Sequence, residues 1–549
     1  MTTKKKELII TSALPYANGP LHFGHLLEHI QTDIWVRTQR ILGNECIYLC
    51  ASDAHGTPIM MKAEEENTSP EKLVDKYMNE HKKTLEAFQV NHDCYYQTHS
   101  EENKKYSELI YNNAFKNGFI SKKNIKQLYD QEKKLFLADR YVQGNCPKCN
   151  ATHQYGDNCD VCGAKYEATE LLNPVSIFSK KTPVIKESEH LFFSLTKLEN
   201  EVKEWIDKSS LQESVVNKLQ EWFKDGLMDW DISRDAPYFG FKIPGFEDKF
   251  FYVWLDAPIG YIGTLEKYLK DMKEDINAYD LWKESSEFEI YHFIGKDILN
   301  FHALFWPALL HAAEFKKPTN VFVHGFLTLN GNKMSKSKQN FLLADQYSKE
   351  LNSDYLRYYL ATKLTNKIDD IDFNLEDFQK KVNTDLVGKF INIASRVNKF
   401  LKNNNNKLGS KIDEVLIKEF HMEAKNVFND FVNLDYSNAC KRIMKLADMA
   451  NQYIDKNQPW VLAKESINEK EIIQISSTAI NLFRILNICL EPIIPETASK
   501  IKSYLNLNDD SYESLEVFLK NHEIESFEPL MTRIEDDNIA YLQKVSESG

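Results

Sequence analysis

The sequence lacks the features of an exported or membrane-spanning protein. Its first ten residues include three lysines but no apolar stretch of the kind that a secretory signal needs. No uninterrupted apolar run approaches the roughly 20 residues of a membrane span. We therefore expect a cytoplasmic protein without membrane contacts.

Excess positive charge is also missing, since 68 Lys and Arg stand against 81 Asp and Glu, for a net charge of −13. Proteins that coat nucleic acid are usually broadly basic. We therefore expect no DNA partner, and contact with nucleic acid only through local basic patches.

Cysteine is scarce as well: nine residues, without an export signal, favour reduced thiols and a metal site over a disulfide scaffold.

What is present is an ordinary globular composition, with 42% hydrophobic and 27% charged residues in 549. Single hydrophobic cores rarely grow past about 250 to 300 residues, so the chain should divide into two or more domains.

Two stretches of alternating strands and helices predict an α/β fold with a parallel sheet. Residues 8–11 read as a buried strand, residues 21–43 as a helix with one apolar stripe, and residues 46–50 as a second strand that delivers Asp53 at its end. The pattern returns near residue 290, with a strand at 290–294, a helical segment through 312 and a strand at 321–323.

The remaining regions differ in composition and in hydrophobic periodicity. Residues 116–229 are more polar and predict an inserted domain, whereas strand signals fade after residue 340. Helical periodicity over 382–400 and 437–453 predicts an α-helical C-terminal domain, with a polar low-complexity loop at 402–410.

A histidine motif, His22-Phe23-Gly24-His25, lies where the loop after the first strand enters the first helix. Helix N-termini attract phosphate, and ligands of an open α/β sheet bind outside the carboxyl ends of its strands. Both histidines can donate hydrogen bonds to phosphate oxygens, and Gly24 lets a ligand come close. Taken alone, such a motif is more often two partly exposed histidines that cap a helix.

Four cysteines form two Cys-x-x-Cys turns: Cys146, Cys149, Cys159 and Cys162. This spacing lets four thiolates surround one tetrahedral ion, which predicts one structural zinc. A redox pair or two disulfides are the competing interpretations.

A pair of lysines follows the strand at 321–323, in the pentapeptide Lys333-Met334-Ser335-Lys336-Ser337. By itself this is a solvated basic loop. Combined with the histidine motif, it resembles the class I aminoacyl-tRNA synthetases. Further matches narrow the resemblance to the methionyl-tRNA synthetase family and run along nearly the whole chain. They are Ala13-Leu14-Pro15-Tyr16, Asp229-Trp230-Asp231-Ile232-Ser233-Arg234, Trp254-Leu255-Asp256-Ala257-Pro258-Ile259-Gly260-Tyr261 and Gly295-Lys296-Asp297.

The resemblance implies five regions. They are the two halves of a Rossmann-type catalytic domain (1–115 and 230–330), a zinc-bearing connective insertion (116–229), a stem-contact region with the lysine loop (331–388) and an α-helical anticodon-binding domain (389–549). One departure from the class pattern is Phe23, where isoleucine is usual. A buried apolar side chain is interchangeable there at modest cost.

The resemblance also implies residue roles in a ligase that activates L-methionine with ATP and charges tRNA(Met). The implied catalytic residues are His22, His25, Lys333 and Lys336. The implied ATP-binding residues are His22, Gly24, His25, Arg234, Gly295, Asp297 and Lys336. No general base is needed, because a carboxylate is already ionised near neutral pH. Magnesium should arrive with the ATP.

For methionine, the implied pocket is Ala13, Leu14, Tyr16, Asp53, Trp254, Pro258, Tyr261, Ile298 and His302. Asp53 would receive the ammonium group, aromatic rings suit the thioether, and the polar tips of Tyr261 and His302 would discriminate against aliphatic side chains. The apolar members could equally be core.

The implied anticodon-binding residues are Asn392, Arg396 and Trp460. Trp460 offers a stacking surface, and the other two offer hydrogen bonds to base edges. Trp460 could also simply belong to the core.

Several other functions compete. A synthetase for leucine, isoleucine or valine would need a larger editing insertion, and a cysteinyl enzyme would place zinc at its substrate. A small adenylyltransferase would not explain the helical domain, and a non-catalytic tRNA-binding or zinc-dependent protein would tolerate loss of His25 and Lys336. Nothing after Glu535 resembles a dimerising module, so a monomer is expected.

Overall fold

The protein is described from a computed structural model. It covers residues 5–137, 141–156, 159–164, 166–333, 341–464, 468–508 and 512–548, with only the backbone described at 332, 333 and 548. The first part of the chain alternates strands with helices: β1 (Glu7–Ser12), α1 (Phe23–Ile41), β2 (Glu45–Ser52), α2 (Thr57–Glu65), α3 (Pro70–Ala87), β3 (Cys94–Gln97) and α4 (Glu101–Lys116).

An inserted region follows, with mostly antiparallel strands. Its elements are β4 (Ile120–Asp130), β5 (Leu135–Phe136), β6 (Val142–Asn145), β7 (Gln154–Tyr155), β8 (Leu172–Ser176), β9 (Val184–Phe193), α5 (Glu199–Lys208), α6 (Glu213–Asp225) and β10 (Trp230–Asp231). Strands β4 and β9 pair antiparallel over ten residues and form a long ribbon. The small sheet β7-β6-β8 has its own hydrophobic cluster, which includes Cys146 and Cys159.

Helices α5 and α6 pack elsewhere, because their apolar residues Val202, Trp205 and Leu219 belong to the core that also contains β13 side chains such as Ile290. Strand β10 pairs with β9 although it lies just beyond residue 229. The domain limits at 116 and 229 therefore stay predictions.

The second half of the parallel sheet comes next in the chain. Its elements are β11 (Ser233–Asp235), β12 (Lys249–Phe251), α7 (Val253–Met272), α8 (Ala278–Trp282), β13 (Glu289–Gly295), α9 (Trp306–Ala312) and β14 (Asn320–His324). The sheet has the order β14-β13-β1-β2-β3, and every neighbouring pair is parallel. The predicted α/β fold is confirmed, and the four predicted strands are β1, β2, β13 and β14.

The strand order reverses direction between β1 and β13. From β1 the chain crosses through α1 to β2 on one side, and from β13 it crosses through α9 to β14 on the other. Such a switch point opens a crevice outside the carboxyl ends of the strands. The two central strands are almost fully buried, as expected for a sheet covered on both faces.

The rest of the chain is largely helical. Its elements are β15 (Leu327–Leu329), β16 (Asn332–Lys333), α10 (Ala344–Ser348), α11 (Ser353–Lys363), β17 (Ile371–Phe373), α12 (Leu375–Val382), α13 (Asn392–Asn403), α14 (Glu414–Val432), α15 (Tyr436–Asn457), α16 (Pro459–Leu462), α17 (Glu469–Leu490), α18 (Pro495–Tyr504) and α19 (Asp536–Ser548). A π-helical stretch, Asn383–Ile391, joins α12 to α13, so the predicted helix over 382–400 is present but locally widened.

The helical region is joined to the sheet domain by one continuous core. Arg357 on α11 and Asp33 on α1 are both buried and paired at 2.6 Å, and Trp35 donates to the carbonyl of Val432 at 3.2 Å. Helix α17 is long and apolar enough to cross a membrane, but 89% of its most apolar window is buried inside the protein. The apolar residues of α17 therefore form part of the hydrophobic core.

Candidate active site

A cavity of about 360 Å³ opens at the carboxyl edge of the sheet, at the switch point between β1 and β13. Its size is in the range of small-molecule pockets. It gathers most residues that the sequence predicts for methionine and ATP: Ala13, Leu14, Tyr16, His22, Gly24, His25, Asp53, Trp254, Pro258, Tyr261, Gly295, Asp297, Ile298 and His302. These residues are distant in sequence, and the parallel sheet brings them together.

The two histidines of the motif form the N-terminal cap of α1. His22 precedes the first helical residue, its Nδ1 accepts from the backbone N–H of Gly24 at 3.0 Å, and Nδ1 of His25 accepts from the backbone N–H of His22 at 3.2 Å. Their rings stack with centroids 3.8 Å apart. Because each Nδ1 is an acceptor, the proton of each neutral imidazole lies on Nε2, which can donate to an anion.

Asp53 is held where β2 ends, beside the end of β1. Its backbone N–H donates to the carbonyl of Pro15 at 2.9 Å, and its carbonyl accepts from Ala17 at 2.8 Å. The side chain is buried, and its Oδ1 has no hydrogen-bond partner among the residues that the structure describes. Burial raises the pKa of Asp53 well above its ordinary value, and the nearby Asp256 carboxylate raises it further. Because burial disfavours the ionised carboxylate, a cationic ligand beside Asp53 would stabilise that carboxylate.

Tyr261 and His302 form a polar pair in the cavity wall. The Tyr261 hydroxyl lies 2.9 Å from Nε2 of His302, whose Nδ1 lies 3.2 Å from the carbonyl of Ile298. A carbonyl can only accept, so Nδ1 carries the proton and Tyr261 donates to Nε2. Burial lowers the pKa of His302 to about 4, so the ring is neutral near pH 7.

Behind Tyr261 lies a second buried group that sequence reasoning missed. Trp306 Nε1 donates to Nε2 of His292 at 3.0 Å, so Nδ1 of His292 carries the proton and donates to the Thr11 hydroxyl at 2.6 Å. The His292 ring stacks on Tyr261 with centroids 4.8 Å apart. The position of His292 inside the predicted strand 290–294 could have been noticed, because a buried strand rarely carries a histidine without a partner.

An aromatic wall supports Trp254. Its ring stacks on Phe301 with centroids 4.3 Å apart and only 10° between the planes, and Phe301 in turn contacts Phe305 and Trp230. These aromatic neighbours were not predicted. Their signal is the four-residue spacing of Phe301 and Phe305, which places both on one face of a helix.

The end of β13 and α1 form another part of the cavity wall. At Gly295 an added Cβ would come within 2.6 Å of the Asp297 carboxylate, so a larger residue would displace that side chain. Two more polar residues line this end and were not predicted: Glu28 is buried, and its Oε2 lies 3.5 Å from Nε2 of His324. Burial raises the pKa of Glu28. Glu28 follows His25 by three residues, so helical spacing could have indicated it.

Some predicted residues are not brought to this cavity. Arg234 lines a neighbouring, larger cavity that shares Tyr16, Asp53 and Trp254 with the first, and its guanidinium lies 3.8 Å from the ring centroid of Tyr252. For the lysine loop, the turn at Asn330 and Gly331 is present, and Lys333 pairs through its backbone with Thr328, next to Leu327 in the cavity wall. Only the backbone of Lys333 is described, and Lys336 lies outside the described residues.

The four cysteines converge as predicted. All four sulfurs lie within 4.8 Å of one another, with 3.8 Å between Cys146 and Cys162 and 3.5 Å between Cys149 and Cys159. Backbone N–H groups of Lys148 and Cys149 point at the Cys146 sulfur. Burial opposes ionisation, but these N–H donors lower the pKa of Cys146 to about 6. The arrangement fits one tetrahedral, thiolate-bound ion.

In the helical region, the three predicted anticodon residues lie together. The Arg396 guanidinium is 5.1 Å from the ring centroid of Trp460, which is half-buried. Both Asn392 and Arg396 donate to the Asn451 side chain, at 3.2 and 3.3 Å, and Arg396 also pairs with Asp455. A half-exposed ring beside fixed donors can stack on and read an unstacked base.

Comparisons with known proteins agree with this organisation. A family model described as tRNA synthetases class I (M) matches residues 8–398, and a model described as the anticodon binding domain of methionyl tRNA ligase matches residues 405–547. Among solved structures, the chain is similar to Mycobacterium tuberculosis methionyl-tRNA synthetase in complex with methionyl-adenylate, with TM-score 0.79, 24% identity and coverage of 95% of this chain and 99% of that chain. The apo form of that enzyme gives TM-score 0.73 at 22% identity, with 97% and 99% covered. At these identities the structures show a shared fold.

Proposed function

This chain belongs to the class I methionyl-tRNA synthetase family, and on that basis we propose that its switch-point cavity is where L-methionine reacts with ATP. The overall reaction is methionine–tRNA ligation. One observation carries the assignment to this cavity: a buried carboxylate oxygen of Asp53, without a partner among the described residues, shares the cavity with the stacked His22 and His25.

In the first step, a carboxylate oxygen of methionine attacks the α-phosphorus of ATP. The new O–P bond forms as the bond to pyrophosphate breaks, and no proton moves. Negative charge grows on the phosphoryl oxygens, where the Nε2–H groups of His22 and His25 can donate. Lys333 and Lys336 are proposed to add positive charge at the same place, and magnesium to arrive with the ATP.

Asp53 is proposed to pair with the methionine ammonium, and Tyr16 to line the same end of the pocket. The thioether would lie against the Trp254 ring, since sulfur–aromatic contacts are favourable. Tyr261 and neutral His302 would face the sulfur. Gly295 and Asp297 would receive the ribose. Arg234 is proposed as a phosphate contact only if it moves from its present cavity, because it does not share a cavity with His22.

In the second step, a hydroxyl oxygen at the 3′ end of tRNA(Met) attacks the activated carbonyl and forms an ester. The bond from that carbonyl to the phosphate oxygen breaks, AMP leaves, and the hydroxyl proton is released to solvent. Asn392, Arg396 and Trp460 are proposed to bind the anticodon, since they combine a stacking surface with two donors. The four cysteines would hold one zinc ion in a closed site, which supports folding of the small sheet and leaves no position for water.

We also propose that the protein acts as a monomer in the cytoplasm, without DNA or membrane partners. Its net charge of −13 disfavours broad DNA binding. Light scattering on the purified chain would test the oligomeric state, and a molecular mass of twice 64.0 kDa would reject the monomer.

The proposed activity is tested by amino-acid-dependent exchange between pyrophosphate and ATP, run with all twenty amino acids and magnesium. Methionine alone should drive exchange, and tRNA(Met) should then be charged. Exchange with another amino acid would overturn the methionine pocket, and no exchange with any amino acid would overturn the assignment of the reaction to this chain.

A further inference from the structure

A second cluster of metal-ligating side chains lies outside the four-cysteine site. It consists of His29 on α1, Cys50 on β2 and His92 in the segment before β3. One donor atom from each residue lies within 4.8 Å of the other two. His29 and Cys50 are fully buried and His92 is half-buried, so the cluster lies between the helix and the sheet.

Nδ1 of His29 lies 3.0 Å from the Ser12 hydroxyl, but one imidazole nitrogen of the cluster lacks a partner. Nε2 of His92 is buried and has no hydrogen-bond partner among the residues that the structure describes. The Cys50 thiol lies 3.6 Å from the carbonyl of Ala51, 3.7 Å from that of Ser12 and 3.8 Å from that of Ala13, which are ordinary distances for sulfur. Buried polar atoms are normally paired, so the unpaired imidazole nitrogen of His92 beside a thiol and a second imidazole points to a missing ligand.

We propose that His29, Cys50 and His92 form a second metal site, which takes one thiophilic transition-metal ion such as Zn²⁺. Imidazole and thiolate are the donors that such ions prefer. Neutral imidazole is the form that binds a metal.

The three donor atoms lie within 4.8 Å of one another, close to the spacing that one ion requires. With metal–nitrogen and metal–sulfur bonds of about 2.0 and 2.3 Å, tetrahedral ligand atoms lie roughly 3.3 to 3.6 Å apart. Three protein ligands leave a fourth position for water. When the ion binds, the S–H bond of Cys50 breaks, the sulfur–metal bond forms and the proton goes to solvent. Binding should therefore tighten as the pH rises.

The cluster connects the catalytic cavity with the protein surface. His29 lines the catalytic cavity and follows His25 by four residues on α1, whereas His92 lines a separate outer cleft of about 300 Å³. The two cavities share no described lining residue. An ion can thus enter from the outer cleft and draw His29 toward Cys50 without meeting methionine or ATP. Inhibition should be noncompetitive with both substrates.

The test uses the full chain with zinc already bound at its four-cysteine cluster, titrated with Co²⁺ as the probe. Wild type should bind one Co²⁺ per chain in addition to the zinc and develop a thiolate-to-cobalt charge-transfer band. His92→Asn and Cys50→Ser should each weaken binding at least tenfold, and Cys50→Ser should lose the band. The matched control is Cys94→Ser, which lies in the outer cleft but outside the cluster and should behave as wild type.

Thermal unfolding, and pyrophosphate exchange measured with magnesium but without added Co²⁺ or Zn²⁺, establish that the variants are folded. If Cys50→Ser is unstable, His92→Asn at the half-buried position carries the test. The proposal is overturned if wild type binds no Co²⁺ beyond its zinc, if His92→Asn binds as tightly as wild type, or if the band persists in Cys50→Ser. As a second measurement, added Zn²⁺ should inhibit exchange by wild type and by Cys94→Ser, but not by His92→Asn.

Discussion

The catalytic cavity and the anticodon cluster hold their polar groups in different ways. In the cavity, Asp53 and His302 are buried and are positioned by strand ends and by packing. In the anticodon cluster, Arg396 is held by its side-chain contacts to Asn451 and Asp455 and lies against the ring of Trp460, which packs partly on the core. A buried charge without a partner is strongly coupled to its ligand, whereas exposed pairs are screened by water. Substitutions in the two regions should therefore differ in size as well as in the step affected.

The largest effect is expected for Asp53→Asn. The amide keeps the shape but removes the charge that would pair with the methionine ammonium, and loss of a buried ionic partner corresponds to a decrease of about 100- to 1,000-fold in methionine-dependent exchange. The exposed Asp75→Asn on α3 is the matched control and should leave exchange unchanged. Near wild-type exchange by Asp53→Asn would remove Asp53 from the pocket.

His25→Asn should come next, with exchange about 100-fold slower, because one donor to the transition state is lost. The Asn side chain retains an acceptor for the helix cap, so α1 should persist. Methionine affinity, followed by quenching of tryptophan fluorescence, should stay within about twofold, since the lost contact acts on the transition state. An equal loss of affinity and rate would instead indicate a damaged pocket.

Trp460→Ala should impair tRNA charging and spare amino acid activation, the opposite of the cavity variants. Loss of one stacked base is expected to reduce tRNA charging about tenfold, while exchange without tRNA stays at the wild-type rate. Trp222→Ala, a half-buried tryptophan on α6, is the control and should spare charging. Loss of both activities in Trp460→Ala would mean that the ring serves the core, as one interpretation of the sequence allows.

The smallest effect is expected for Asp455→Asn. This carboxylate on α15 is 61% exposed and pairs with Arg396 on α13. Because water screens an exposed ion pair, the pair should contribute little to the position of Arg396. Charging should fall by about two- to fivefold at low salt, and the difference should shrink as salt is raised. A loss as large as that of Trp460→Ala would show that Arg396 needs Asp455 to be positioned at all.

The two regions also differ in how far the sequence predicts them. Asn392 and Arg396 are four residues apart on one helix, so their proximity follows from helical spacing alone. The cavity needs β1 and β13 to be neighbours, and the sequence predicts each strand but does not pair them. The family resemblance placed both strands in one Rossmann-type domain, without giving the strand order. It did not indicate His292 or Trp306, because buried hydrogen bonds between distant segments leave no spacing that can be read locally.

The π-helical stretch and the placement of Arg234 escaped prediction for a related reason. The apolar periodicity of 382–400 does not indicate a widened turn, and Arg234 on β11 contacts Tyr252, which lies between β12 and α7. By contrast, the four-cysteine cluster was fully predictable, because ligand spacing on two short turns is local.

The pairing of β1 with β13 also has a consequence for how the protein is made. Thr11 and His292, which are hydrogen-bonded across these strands, are 281 residues apart. At roughly 5 to 20 residues per second, a ribosome needs on the order of 14 to 56 seconds to go from one to the other. Throughout that interval the nascent β1 lacks one of its two neighbours. The cavity can therefore form only after β13 has been synthesised. Until then, β1 is exposed to other chains and to chaperones.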